Sequence, residues 1–135
     1  MPDIYLTRLI ALRDIGFPLA KQKEAEGHLV FNLFRSTCGT YGCVLGWWAT
    51  TEYAKKDGWY VIANTPYWGS EWLNAAESYF NITSGDWVKL FDTDPDNTLA
   101  DRKTYLDKLI ARRSPQKSHW SSRFIHPIAS FWNTL

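Results

Sequence analysis

The sequence CGTYGCVLGWWA, residues 38–49, contains both cysteines of the chain and two of its eight tryptophans. Four residues in and just after it recur at the i, i+3, i+4, i+7 spacing of a single helix face: Val44, Trp47, Trp48 and Thr51. A face with this spacing and two indole rings packs against a core. The stretch therefore predicts a buried helix over residues 41–54, preceded by a tight turn at 38–42.

The structural interpretation of the motif comes first. Its members are Cys38, Gly39, Thr40, Gly42, Cys43, Gly46 and Trp47. The first two glycines permit backbone conformations that a Cβ would forbid, and the threonine hydroxyl is a suitable cap for the helix that follows. The third glycine allows another element to approach closely, and the thiols behave as small buried side chains.

A cysteine nucleophile is the second interpretation. If Thr40 caps the helix, Cys43 lies in the first turn, where the helix dipole lowers the pKa of a thiol. Such an enzyme needs a histidine base. The candidates are His28, His119 and His126, and none of them lies in a recognisable catalytic pattern.

A metal site is the third interpretation of the two cysteines. Together with His119 and His126 they would supply four ligands. Structural zinc sites usually have more closely spaced pairs such as C-x2-C. We therefore predict no metal and no cofactor.

The flanking segments predict further helices and little sheet. A first helix starts at about Ile4 and is expected to end before Gly16 and Pro18, which are both helix breakers. Residues 30–34 and 59–62 are rich in β-formers and form the candidate hairpin, with residues 64–66 as punctuation. A third helix is expected after Ser70, with one apolar face made of Trp72, Leu73, Ala76, Tyr79 and Phe80.

Two more helices follow along the chain. A short one begins after Thr83 and includes Trp87, Leu90 and Phe91. The next covers residues 98–112, with Thr98 and Asp101 as a capping pair and an apolar stripe of Leu99, Leu106, Leu109 and Ile110. Between them, Asp92, Asp94 and Asp96 mimic the opening of a calcium loop. The sixth and twelfth loop positions lack the required Gly and Glu, so we expect a solvated turn.

Length and composition are those of one globular domain. The chain has 135 residues, 45% of them hydrophobic and 21% charged. We predict a mainly α, small single domain of about five helices with at most a short β-hairpin, the alternative being an α+β fold. The helical core domain would cover residues 1–113, and a C-terminal tail, residues 114–135, would dock on it.

Charge and hydropathy bear on partners and location. The net charge is +1, but the last 35 residues carry seven Lys and Arg against two acids. There is no signal-peptide pattern and no apolar run long enough to span a membrane, so we expect no membrane association and a cytoplasmic location.

Basic and aromatic residues alternate towards the end of the chain. The candidate binding residues are Arg113, Lys117, Trp120, Arg123 and Trp132. Trp and Arg dominate the energetics of protein interfaces, while cations interleaved with rings also suit single-stranded nucleic acid. Docking of the tail on the core is favoured over either kind of binding.

The order of these segments resembles a family of small uncharacterised proteins of tailed bacteriophages and prophages. The resemblance covers roughly residues 3–112 and rests on the CGTxxCxxGW pattern, on Tyr79-Phe80-Asn81-Ile82 and on Leu90-Phe91. It implies a phage origin, with the host cytoplasm as the location, and no known activity.

These patterns predict a non-enzymatic, phage-derived accessory protein that binds a host or phage macromolecule. An anti-defence or host-takeover inhibitor would suit its size and its many aromatic residues. The alternatives are a cysteine-dependent hydrolase or transferase that uses Cys43 with a histidine, and a single-stranded nucleic-acid binder that uses the basic aromatic tail. The patterns do not indicate an oligomeric state.

Overall fold

The computed structural model describes residues 3–27, 44–63, 65–92, 94 and 96–114. This part of the chain is mainly helical and has a two-stranded antiparallel sheet, so the predicted mainly α fold with a short hairpin is confirmed. The expected strand at 30–34 and the turn at 38–42 lie outside the described residues.

The N-terminal rod consists of α1 (Ile4–Ala11), a π-helical turn (Leu12–Gly16) and α2 (Phe17–Ala25). Asp3 caps it by accepting hydrogen bonds from two backbone amides of the first turn. The expectation that the helix ends before Gly16 is wrong. The π turn, in which the amide of Phe17 donates to the carbonyl of Leu12, lies directly before Pro18. It locally rearranges the backbone hydrogen bonds where the proline ring would otherwise clash.

The motif helix ends earlier than predicted and is followed by a second helix. All residues of α3 (Val44–Ala49) are buried, and α4 (Glu52–Lys56) begins after a break at residues 50–51. The cause is the threonine pair: the Thr50 hydroxyl donates to the carbonyl of Trp47 at 2.6 Å, and that of Thr51 to Trp48 at 2.8 Å. The Thr51 side chain also accepts from the amide of Ala54 and so caps α4.

The sheet is a hairpin of β1 (Trp59–Ile62) and β2 (Thr65–Trp68). Trp59 pairs with Trp68, and Ile62 pairs with Thr65. The prediction that residues 64–66 form only a turn or loop is therefore wrong, because Thr65 and Pro66 belong to β2. Pro66 is tolerated because both strands of a two-stranded sheet are edge strands.

The next helix, α5 (Ala75–Phe80), starts later than predicted. Trp72 and Leu73 precede it and are exposed, so they do not belong to its buried face. The reason is a turn in which the amides and carbonyls of Trp68 and Glu71 bond reciprocally, at 2.9 and 3.1 Å. This turn holds residues 69–74 out of the helix.

The last two helices confirm their predictions. Helix α6 covers Ser84–Phe91 and α7 covers Leu99–Arg113, and each begins with a capping box. In the box of α7, Thr98 and Asp101 exchange hydrogen bonds at 3.1 and 3.2 Å. The four predicted stripe residues of α7 are all buried: Leu99, Leu106, Leu109 and Ile110.

Aromatic side chains occupy the middle of the core. The Trp48 ring is fully buried, and its centroid lies 5.7 to 6.3 Å from those of Tyr53, Tyr79 and Phe80. The motif helix therefore lies at the centre of the described core, with the N-terminal rod, the hairpin and α5 around it.

Candidate functional site

The two faces of the hairpin differ in exposure. Trp59 is buried, whereas Tyr60 and Ile62 on the opposite face are 39% and 57% exposed. The Tyr60 ring stacks on that of its cross-strand partner Tyr67, with centroids 5.4 Å apart and planes within 5°. This outer face is therefore an aromatic platform open to solvent.

The turn that follows β2 adds two more apolar side chains. Trp72 is 41% exposed and Leu73 is 56% exposed. The Tyr60 hydroxyl donates to the carbonyl of Gly69 at 2.5 Å, which joins the outer face of the hairpin to this turn. We call Tyr60, Ile62, Tyr67, Trp72 and Leu73 together the hairpin corner.

The turn is held from two sides. Besides the reciprocal bonds between Trp68 and Glu71, the Ser78 hydroxyl of α5 donates to the Glu71 carboxylate at 3.3 Å. Apolar side chains presented on a braced turn lose little conformational freedom on binding, which lowers the entropic cost of an interface.

The inner face of the hairpin packs on α5. The rings of Trp59 and Trp68 lie edge-on to Tyr79, with centroids 5.4 and 5.1 Å away. The Trp68 indole N–H donates to the carbonyl of Asp57 at 2.9 Å. The exposed face of the hairpin is thus supported from beneath by rigidly packed aromatic side chains of the core.

A polar cluster of Arg8, Asp57 and Tyr79 lies beneath the hairpin. The Arg8 guanidinium lies 4.2 Å from the Tyr79 ring centroid, donates to the Tyr79 carbonyl at 3.0 Å and approaches Asp57 to 3.7 Å. The Tyr79 hydroxyl donates to Asp57 at 2.5 Å.

Burial, followed by the hydrogen bond to Asp57, raises the pKa of Tyr79 far above its ordinary value. The hydroxyl therefore stays protonated at neutral pH and acts as a fixed donor. The geometry makes this cluster a structural support for the hairpin.

The hairpin corner is suited to recognition through direct apolar and aromatic contacts. In residues 59–74 the only ionisable acid or base with a charge at neutral pH is Glu71. Within the described ranges no three His, Cys, Asp or Glu side chains are grouped to hold a metal ion. Recognition here depends on apolar area and aromatic rings.

The acidic loop after α6 is organised by a cation of the chain itself. The fully buried Arg102 side chain donates to the carbonyls of Leu90, Asp94 and Asn97 at 3.2, 3.0 and 2.8 Å, and its guanidinium lies 3.0 Å from the Asp92 carboxylate. Arginine thus lies against the loop that mimics a calcium site.

The sequence-predicted motif is described only in part. Gly46 and Trp47 are buried in α3, and the Lys23 ammonium lies 4.8 Å from a Trp47 ring centroid. The other five motif residues lie outside the described ranges: Cys38, Gly39, Thr40, Gly42 and Cys43. So do His28, His119 and His126, and the nucleophile and metal hypotheses stay predictions.

Of the predicted binding residues, only Arg113 is described. It ends α7, and its guanidinium donates to the carbonyls of Phe80 and Asn81. These bonds give it a structural role at the end of α5. Lys117, Trp120, Arg123 and Trp132 lie outside the described residues, and their binding role remains a prediction.

The hairpin corner is not predicted from the sequence, because Trp72 and Leu73 fit a helix face as well as a turn. The available signal was the alternation in Trp59-Tyr60-Val61-Ile62, which places Tyr60 and Ile62 together on one face of a strand. When both faces of a two-stranded hairpin carry apolar side chains, only one face packs on the core and the other stays exposed to solvent.

No family model, curated protein or solved structure matches the chain. Among the described helices, none has the length and apolarity needed to cross a bilayer.

Proposed function

We propose that this protein is a non-enzymatic accessory factor that acts by binding another protein through the hairpin corner. The observation that carries the proposal is the stacked Tyr60–Tyr67 pair and the exposed Trp72 and Leu73 beside it. Solvent-exposed large apolar and aromatic side chains grouped on a braced scaffold are typical of protein interaction sites.

The charge of the corner favours a protein over a nucleic acid. Residues 59–74 contain no Lys or Arg, and their single charge is that of Glu71. A nucleic acid needs cations for its phosphates, and this surface has none to offer. The single-stranded nucleic-acid hypothesis therefore belongs to the C-terminal tail and not to this surface.

The partner would be a host or phage protein if the chain has the phage origin that its motif implies. An inhibitor of a host defence needs only to cover a surface of its target, which agrees with a site made of apolar contacts. The host cytoplasm is the compartment in which we propose that it works.

The test compares two photo-crosslinking positions in the full-length protein. A photoreactive amino acid replaces Leu73 in one variant and Val88 in the other; Val88 is an exposed apolar residue of α6 that serves as the matched control. We expect, in lysate of phage-infected host cells, one dominant adduct from position 73 and none of the same mass from position 88.

Affinity then decides whether the corner carries the binding. The partner recovered from the adduct should bind Trp72→Ala at least tenfold more weakly than wild type and bind Val88→Ala with unchanged affinity, as measured by calorimetry. Equal affinity of Trp72→Ala and wild type, or adducts that are the same from both positions, would contradict the proposal.

A further inference from the structure

A groove lies between the C-terminal part of α6 and the solvent side of α7. Its volume is about 780 Å³, within the range of about 300 to 1,000 Å³ of small-molecule sites. The residues from α7 follow one another at helical spacing, and the opposite wall comes from Lys89 and Asn97. The hairpin corner contributes no residue to it.

Positive charge dominates the groove. Among the described lining residues, three are cationic, Lys89, Lys108 and Arg112, and one is acidic, Asp101. One oxygen of the Asp101 carboxylate is already used, because it accepts from the amide of Thr98 in the capping box. Neither lysine forms an ion pair with an acid in the described part of the chain, so both ammonium groups are available to an anion.

An aromatic ring with a fixed orientation forms part of the wall. The Tyr105 hydroxyl donates to Asp86 at 2.5 Å, which holds the ring in place. The Arg112 guanidinium carbon lies 5.9 Å from the ring centroid, and one of its nitrogens lies 3.9 Å from the Asp86 carboxylate. Because 61% of the Arg112 side chain is exposed, the guanidinium remains accessible to a ligand. A ring beside an accessible guanidinium suits a planar group next to a phosphate.

The rest of the lining is polar and neutral. Asn97 and Thr104 place an amide and a hydroxyl within the groove. The side-chain nitrogen of Asn97 donates to the Lys89 carbonyl and to Asp92. No described residue donates to its side-chain oxygen, Oδ1, which can therefore accept from a ligand. Ribose hydroxyls and exocyclic base amines are donors that such oxygens bind.

We propose that this groove binds a nucleoside phosphate, with the phosphate between Lys108 and Arg112 and the base against Tyr105. A bare inorganic anion would use the cations and leave the ring unused. The same chemistry is presented by a free mononucleotide and by a terminal nucleotide of a single strand, and the experiment separates the two sources.

The experiment is calorimetric titration of the full-length protein with ADP at 50 mM salt, with adenosine and tripolyphosphate as partial ligands. We expect ADP to bind more tightly than either partial ligand. Lys108→Gln and Arg112→Gln should each weaken ADP binding about tenfold. The matched control is Lys103→Gln, the same change on the same helix but outside the groove, and it should leave the affinity unchanged.

Three outcomes would overturn the proposal. They are no heat with ADP at millimolar concentration, equal losses in Lys103→Gln and Lys108→Gln, and unchanged ADP affinity in Tyr105→Leu. Circular dichroism of each variant checks that it is folded. A 5′-phosphorylated single-stranded decamer tests the source: tighter binding than ADP, abolished by Lys108→Gln, assigns the groove to a strand end, and weaker binding assigns it to the free mononucleotide.

Discussion

Arg102 shows how one side chain organises a loop. A fully buried guanidinium has lost its hydration and must be compensated by several acceptors. Here the carbonyls of Leu90, Asp94 and Asn97 and the Asp92 carboxylate supply them. The guanidinium presents five N–H donors on three nitrogens in a rigid planar fork, whereas an ammonium group has three donors on one nitrogen. In the loop that mimics a calcium site, the chain thus supplies its own cation, which pairs with the Asp92 carboxylate and holds the loop backbone.

Arg102→Met should therefore destabilise the protein strongly. The change leaves Asp92 and buried carbonyls without their donor, and breaking a buried pair in this way costs about 3 to 5 kcal/mol. Arg102→Lys should recover less than half of the loss. Urea unfolding followed by tryptophan fluorescence measures both variants.

Lys103→Met is the neighbouring control, since Lys103 is exposed and its ion pair within the described residues is the surface pair with Asp107. It should cost less than about 1 kcal/mol. If Arg102→Met lost no more stability than Lys103→Met, the loop would not be organised by the guanidinium.

The same residue shows where sequence reasoning stops. The spacing of Asp92, Asp94 and Asp96 was enough to reject a calcium loop, because the sixth and twelfth positions are wrong. The arginine that pairs with Asp92 is ten residues further along the chain, on a helix whose apolar stripe was predicted correctly. A periodicity assigns Leu99 and Leu106 to the core, but it gives no reason to bury the charge between them.

At the scale of elements, the helices with clear caps were predictable and the boundaries set by packing were not. Thr98 and Asp101 predict the start of α7, because the capping-box hydrogen bonds between them depend only on the local sequence. The Thr50–Thr51 break and the turn at Glu71 depend on hydroxyl and backbone bonds that compete with a helix, and composition alone does not show which one wins. The hairpin corner was missed for that reason.

The sequence predicts that the first helix ends before Gly16, but this glycine lies within the rod at a position of close packing. It lies inside the continuous N-terminal rod, and a Cβ at this position would lie 3.0 Å from both a Leu12 methyl and the Trp48 ring. Trp48 is fully buried among other rings and has little room to shift. The glycine thus allows the π turn to approach the motif helix.

Gly16→Ala should consequently destabilise the protein by about 1 kcal/mol, because overpacking, which costs about 1 to 3 kcal/mol, outweighs the gain in helix propensity. Gly85→Ala is the matched control, since this helical glycine in α6 would place its Cβ 3.6 Å from the nearest side-chain atom, an ordinary contact. The control should be neutral or stabilising by up to about 1 kcal/mol. Thermal unfolding of the two variants compares them, and a higher melting temperature for Gly16→Ala would show that Trp48 yields.

At the scale of the whole molecule, two arginines far apart in the chain converge on one short helix. Arg8 of α1 donates to the carbonyl of Tyr79, and Arg113, at the end of α7, donates to those of Phe80 and Asn81. The last carbonyls of α5 lack partners within their own helix, and this end carries the negative pole of the helix dipole. Both ends of the described core are thereby tied to α5.

This convergence predicts thermodynamic coupling between Arg8 and Arg113. Each change to Met should cost about 1.5 to 3 kcal/mol, the typical value of hydrogen bonds from a charged donor. When one arginine is replaced, the last turn of α5 frays, so the hydrogen bonds of the other arginine contribute less to stability. The double variant should therefore lose at least about 0.5 kcal/mol less than the two single losses combined.

A double-mutant cycle by urea unfolding measures this coupling, with Arg8→Met and Lys103→Met as the control cycle. Lys103 touches neither α5 nor Arg8 in the described contacts, so the control losses should add within about 0.3 to 0.5 kcal/mol. If Arg8 and Arg113 also prove additive, the end of α5 is rigid without them. The two arginines would then be independent contacts, and the tie between the two ends of the core would have to come from the apolar packing of α1 and α7 alone.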